Sequence, residues 1–287
     1  MKVAHVETHE WSAPRTLRGG FLRFKYLLEG EEGAPNNFAL TVVDTDQSFK
    51  SPRHRHNFDQ IRVTLSGSTN IGPKQNIEVG DVAYFPEATY YGPQDQALVG
   101  SASVAMVIQF GGASGNGYMS ARQMLEAQQR LESAGRFEGG VFHREAPAPG
   151  ERKNQDAYEA TWEAHNGRQL EYPAPRMMDP VHFRSHNFPW VPVRGAEGAH
   201  SKNFGVFTER SIGLGAIRIE AGARYTLPLV QQERLLFFIT GTGKIGEVDP
   251  WSMHTAVHLS AGETTDLSAD STSEALILAM PDFGEIK

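Results

Sequence analysis

The stretch SPRHRHNFDQIRVTLSG, residues 51–67, decides how the rest of the chain is interpreted. His54 and His56 are two positions apart, and side chains two apart on a β-strand point to the same face. Gln60 and Arg62 have the same parity. Two imidazole nitrogens and one amide oxygen suit a first-row divalent metal such as Fe, Mn, Ni or Zn. The same parity makes Arg62 the candidate group for an anionic substrate.

The residues on both sides of this stretch alternate like short β-strands. They are rich in Val, Ile, Thr, Tyr and Phe, and Gly, Pro, Asn or Asp interrupts them about every ten residues. That rhythm is typical of a sandwich or barrel. The segments are FALTVVDTD at 38–46, QIRVTLSGS at 60–68, NIEVGDVAYFP at 76–86 and ALVGSASVAMVIQF at 97–110.

The middle of the chain is different, because it predicts helices. Ser120 is placed to cap a helix through ARQMLEAQQRLESAG, with Gly135 as its stop, and a second helix is predicted at QDAYEATWEAHNG. Short alternating segments typical of β-strands occur again from about residue 203. We therefore predict an all-β protein of three parts: an N-terminal barrel at 1–115, a partly helical linker at 116–195 and a C-terminal barrel at 196–287.

The motif H-x-H-x3-Q-x6-G, from His54 to Gly67, resembles the first sequence motif of the cupin superfamily. The later stretch GDVAYFPEATYYGP resembles the second motif, with Tyr91 where a metal-binding histidine is expected. The resemblance implies two cupin barrels, each a jelly roll or double-stranded β-helix. It also implies one divalent transition metal held by His54 and His56, with Gln60 in place of the usual glutamate.

The resemblance leaves Tyr91 with several roles. It could bind as phenolate, donate a hydrogen bond near the metal, or act as a catalytic acid or base, for which a nearby cation would have to lower its pKa from about 10. The alternative interpretation of His54 and His56 is an exposed pair, because Arg53 and Arg55 flank them.

The second half lacks these candidate ligands. Counting back from Gly241 by the spacing of the first half places Pro228, Val230 and Arg234 at the ligand positions, and a shift of one residue offers no histidine either. We expect a C-terminal cupin barrel that has lost its metal site.

Composition limits the classes of function. The 287 residues include no cysteine, which excludes disulfides and thiolate metal sites. The net charge is -7 and the sequence has no basic cluster, so it indicates no surface for binding nucleic acid. No basic leader followed by an apolar run and no long apolar span occurs, so we expect a cytoplasmic protein without membrane contact. Small molecules are the expected partners, and the resemblance implies a homodimer.

The resemblance points first to a dioxygenase-like oxidoreductase acting on a small organic molecule in the N-terminal barrel. A metal-assisted isomerase or lyase on a sugar or carbonyl compound is the second hypothesis. The third is a non-catalytic protein that binds a small molecule, since two of the usual ligands are replaced.

Overall fold

The structure is a computed structural model that describes residues 1–14 and 18–284. Its N-terminal strands, in chain order, are β1 (Lys2–His5), β2 (Leu22–Glu29), β3 (Phe38–Thr45), β4 (Lys50–Ser51), β5 (Phe58–Gly67), β6 (Thr69–Gly72), β7 (Gln75–Ile77), β8 (Val82–Phe85), β9 (Gln94–Asp95) and β10 (Ser103–Gly111). The middle elements are α1 (Ala121–Leu131), β11 (Gly135–Glu138), β12 (Val141–Arg144), β13 (Asn154–Asp156), α2 (Ala157–Asn166), β14 (Val181–Phe183) and β15 (Val191–Pro192).

The C-terminal strands are β16 (Ala199–Val206), β17 (Gly213–Ile219), β18 (Arg224–Thr226), β19 (Arg234–Thr240), β20 (Gly243–Ile245), β21 (Asp249–Trp251), β22 (Thr255–Leu259), β23 (Asp266–Ala269) and β24 (Ser273–Ala279). Short 3-10 helices lie at Val6–Thr8, Gln96–Leu98 and Ser185–Asn187. The predicted all-β class is confirmed. None of the helices found in the described residues has the length and apolar character needed to span a membrane.

The chain forms two compact units. The N-terminal unit comprises residues 11–24 and 29–182, and the C-terminal unit comprises residues 1–10, 25–28 and those from 183 onward, in each case as far as the structure describes them. The predicted division into a barrel at 1–115, a linker at 116–195 and a barrel at 196–287 stays a prediction.

The N-terminal unit contains most of a six-stranded sheet with the order β14-β8-β5-β10-β3-β2. Strand β10 is central and pairs antiparallel with both β5 and β3. In this register Gln60 lies opposite Gln109, and Arg62 lies opposite Val107. The two-stranded sheets β4-β9 and β6-β7 complete the strands around the motif.

The two helices begin where the sequence predicts. The Ser120 side chain accepts a hydrogen bond from the Gln123 backbone while Gln123 accepts from the Ser120 backbone, a reciprocal capping box. Asp156 caps α2, and Gly167 ends it in the left-handed conformation.

The predicted end of the first helix is wrong. The helix stops at Leu131, and Gly135 instead begins β11. A Cβ at Gly135 would lie 2.1 Å from the carbonyl oxygen of His143, so the close approach of β11 to β12 requires glycine there.

The C-terminal unit packs a seven-stranded sheet, β1-β22-β19-β24-β17-β16-β15, and a four-stranded sheet, β18-β23-β20-β21, around one apolar core. Trp251 is buried in this core, stacked on Phe238 with ring centroids 4.5 Å apart. Arg234, at a position equivalent to a ligand of the first motif, donates to the carbonyl oxygens of Pro228 and Glu263 at 2.8 and 2.7 Å. The side chain thus braces two loops.

Candidate active site

The five residues predicted for the site line one cavity of about 190 Å³ inside the N-terminal unit. His54, His56, Gln60, Arg62 and Tyr91 all contribute to its wall. The expected strand through the histidines does not form, because regular pairing in β5 begins at Phe58. Both histidines nevertheless face the cavity, because the chain before β5 is held by a bridge between the backbones of His54 and Tyr91.

His54 is fixed on both its backbone and its ring. Its backbone N–H donates to the Tyr91 carbonyl at 3.1 Å, and the Tyr91 N–H donates back at 3.0 Å. Ring atom Nδ1 lies 2.7 Å from the Pro52 carbonyl oxygen, so Nδ1 carries the proton and donates. Atom Nε2 is therefore the one that can accept or bind.

Tyr91 joins His56 to Arg62. Tyr91 Oη lies 3.1 Å from His56 Nε2 and accepts from Arg62 Nη2 at 3.3 Å. Both contacts are satisfied when neutral His56 carries its hydrogen on Nε2, so that Oη accepts from His56 and from Arg62 and keeps its own hydrogen available. His56 Nδ1 is buried without a hydrogen-bond partner among the described residues, and its ring stacks on Phe58 at a centroid distance of 4.4 Å.

Gln60 lies between Arg62 and Gln109. With its amide oxygen toward Arg62, it accepts from Arg62 Nε at 2.7 Å and Nη2 at 2.9 Å. The Gln60 amide nitrogen then faces Gln109 at 2.8 Å, and it donates to the Gln109 amide oxygen when that amide is turned in the same way, with the Gln109 nitrogen toward the Tyr118 hydroxyl at 3.1 Å. Both polar atoms of Gln60 are thus engaged by protein groups.

Burial sets the protonation states of the site. It lowers the pKa of both His54 and His56 well below 6.5, and neighbouring positive charges lower them further, so both imidazoles are neutral at pH 7. Burial also raises the pKa of Tyr91, against the opposing effect of Arg62 and Arg18, so the phenol stays protonated. The phenolate role considered for Tyr91 is disfavoured by this balance.

The described wall of the cavity carries positive charge without negative charge. Arg18 and Arg62 line it, and no Asp or Glu belongs to its wall within the described residues. Arg18 lies 3.4 Å from Asp156, whereas no described carboxylate forms an ion pair with Arg62. Arg62 instead packs against the Phe85 ring, 4.7 Å from its centroid.

Sequence reasoning missed several residues of the cavity wall. The alternation of β10 could have identified Gln109. Arg18 comes from a segment far from the motif, and Tyr158 comes from α2, so neither carries a local signal.

A buried acidic cluster on the other face of β5 was also missed. Asp59 accepts from Tyr84 Oη at 3.0 Å and from the Glu87 backbone at 2.6 Å. Burial, together with the negative charge of Glu87, raises the pKa of Asp59 to about 7. Glu87 itself forms an ion pair with Arg176 at 2.6 Å.

No protein-family model and no curated protein matches the chain. Solved structures do match over nearly its whole length. A "putative dioxygenase" from Nostoc punctiforme aligns with a TM-score of 0.65 and 12% identity, covering 99% of this chain and 84% of the other. The oxalate decarboxylase of Lactobacillus farciminis, solved as a formate complex, aligns with a TM-score of 0.55 and 12% identity, covering 97% and 86%. The chain has the two-domain cupin fold.

A third match is the "Putative Glyoxylate Induced Protein" of Pseudomonas aeruginosa, with a TM-score of 0.58 and 10% identity over 93% of this chain and 83% of the other. At these identities the likeness establishes the fold alone.

The metal that the cupin fold implies must be judged on the donors present. The usual cupin ligands are three histidines and a glutamate. The matching positions in this chain are occupied by His54, His56, Gln60 and Tyr91, none of which carries negative charge. Within the described parts of the chain, no group of three or more His, Cys, Asp or Glu side chains is placed to hold a metal ion. The Arg62 guanidinium, 3.3 Å from Tyr91 Oη, would repel a cation bound at this point.

These donors do not fit a resident divalent metal well. The carboxylate that would offset the charge of the metal is missing, and the guanidinium of Arg62 lies next to the candidate ligands. They fit an anion better. The metal site predicted on His54, His56 and Gln60 stays a prediction.

Proposed function

We propose that the N-terminal cupin barrel binds a small organic anion, with Arg62 as the binding group and Tyr91 as the group that presents a proton to it. The observation that carries the proposal is the half-buried guanidinium of Arg62 in a cavity whose described wall holds no carboxylate. Removing a charge from water costs several kcal/mol unless an opposite charge offsets it. A bound anion supplies that charge.

Three groups give the anion its orientation. Arg62 donates to it, and Tyr91 Oη, which already contacts Arg62 Nη2, lies within reach of the same ligand oxygen. Because Tyr91 stays protonated and both imidazoles are neutral, the phenol hydrogen is the acidic hydrogen that the site offers. His56 Nε2, 3.1 Å from Oη, holds the phenol in place.

Enclosure supports binding of a small molecule. Residues from α1 and α2 line the cavity together with the strands, among them Met124 and Tyr158. Exclusion of water strengthens the attraction between a guanidinium and an anion, because the effective dielectric constant falls.

Calorimetric titration with acetate and with acetamide tests the proposal, because the two probes have similar size and differ in charge. Using the full chain in the presence of EDTA, we expect acetate to bind and acetamide to bind at least tenfold more weakly. Equal binding of both probes, or no binding of acetate, would refute an anion site.

The second candidate is the metal-dependent, dioxygenase-like enzyme. The convergence of two neutral imidazoles in one cavity favours it, because a metal binds the neutral form of histidine. Elemental analysis of protein purified without a His tag decides between the two. One equivalent of Fe, Mn, Ni or Zn would favour this candidate, and oxygen uptake would then separate an oxygenase from an isomerase or lyase. The expected homodimer and cytoplasmic location stay predictions.

A further inference from the structure

The part of the cavity wall that follows the site along the sheet is apolar. Val43, Ala105 and Val107 form a buried cluster, against which Leu22 and Phe24 pack. All five line the same cavity as Arg62. The cavity is therefore divided into a cationic part and a hydrocarbon part.

The sheet register explains this division. Arg62 on β5 lies opposite Val107 on β10, and Ala105 on β10 lies opposite Val43 on β3. Strand β2, which carries Phe24, follows β3 in the sheet. Adjacent strands lie about 4.8 Å apart, so the apolar end on β2 lies three spacings, roughly 14 Å measured along the sheet, from the strand of Arg62.

Three amide groups of the cavity wall already donate to carbonyl oxygens of the protein. Gln94 Nε2 donates to the Asn70 carbonyl at 2.8 Å, Gln96 Nε2 to the Ser101 carbonyl at 2.9 Å, and Asn70 Nδ2 to the Gly72 carbonyl at 3.0 Å. These donors therefore do not require the hydroxyl groups of a sugar.

We propose that the anion is an amphipathic monocarboxylate, whose single charge lies on Arg62 and whose hydrocarbon body lies along Val107, Ala105 and Val43. This inference rests on the proposed anion site and adds the class of ligand. One carboxylate is sufficient, because Arg18 already has Asp156 as its partner. The volume of about 190 Å³ suits a body of about six carbons, since an apolar cavity of about 150 Å³ in another protein holds benzene.

The test is calorimetric titration of the full chain with hexanoate, acetate, succinate and hexanamide. We expect hexanoate to bind at least tenfold more tightly than acetate, succinate or hexanamide. The Val43→Thr variant keeps the side-chain volume but adds a hydroxyl to the apolar wall, so it should lower the ratio of hexanoate to acetate affinity at least threefold. Val206→Thr, at an exposed position of β16, is the matched control and should leave the ratio unchanged.

The outcomes separate this inference from the anion site. If acetate binds as tightly as hexanoate, or succinate binds more tightly than hexanoate, the amphipathic monocarboxylate is wrong while the anion site stands. If neither acetate nor hexanoate binds, both proposals fall. The comparison among probes on the unaltered chain decides the matter even if Val43→Thr does not fold.

Discussion

Replacing Arg62 by methionine should change ligand affinity and protein stability in different ways. Methionine keeps most of the length and apolar contact of arginine but removes the charge. A hydrogen bond between charged partners contributes about 1.5–3 kcal/mol. At about 1.4 kcal/mol per tenfold, the dissociation constant of acetate should rise about 10- to 150-fold.

The stability of the ligand-free protein should change little. The Arg62→Met variant would lose the hydrogen bonds to Tyr91 and Gln60, each contributing about 1 kcal/mol, but it would also lose a half-buried cation that has no ion-pair partner among the described carboxylates. Because these effects oppose each other, we expect the free energy of unfolding to stay within about 1 kcal/mol of that of the parent.

Urea denaturation with and without acetate, together with calorimetric titration, measures both quantities. The matched control is Arg55→Met. Arg55 lies outside the cavity wall and packs on the rings of Tyr90 and Tyr172, 4.8 and 3.9 Å from their centroids, so its replacement should leave acetate affinity unchanged. Parent-like acetate affinity in Arg62→Met, or equal losses in both variants, would refute the assignment of Arg62 as the anion-binding group.

Three further predictions concern pH, metal and the C-terminal core. Between the ordinary pKa of 3.8 and the raised pKa of about 7, folded Asp59 keeps a proton that the unfolded chain has lost, so stability should fall by up to about 1.4 kcal/mol per pH unit as pH rises. The Asp59→Asn variant should lack this contribution in denaturation curves recorded from pH 4 to 8, and an unchanged pH slope would contradict it. Replacing both His54 and His56 by Ala should abolish any metal uptake seen by elemental analysis, with the melting temperature within a few degrees of the parent; global unfolding would instead assign the pair a structural role. Trp251→Ala should cost about 3–5 kcal/mol of unfolding free energy by calorimetry, because it empties a fully buried position, and a loss below about 1 kcal/mol would show that the core is not packed as described.

The sequence determined the features that depend on local periodicity. Alternation with a period of two predicted the strands, and side chains two apart brought Gln60 and Arg62 to one face of β5. The helix starts were equally local, since Ser120 caps a backbone only three residues away.

Tertiary structure decided the chemistry of the cavity. The sequence pattern suggested a metal site, but the lack of a carboxylate in the described wall around Arg62 depends on every segment that reaches it, from Arg18 to Tyr158. The pKa values of His54 and Tyr91 likewise follow from burial, which is a property of the assembled barrel. Local sequence fixes which way a side chain points along a strand, whereas charge balance and desolvation depend on residues that only folding brings together.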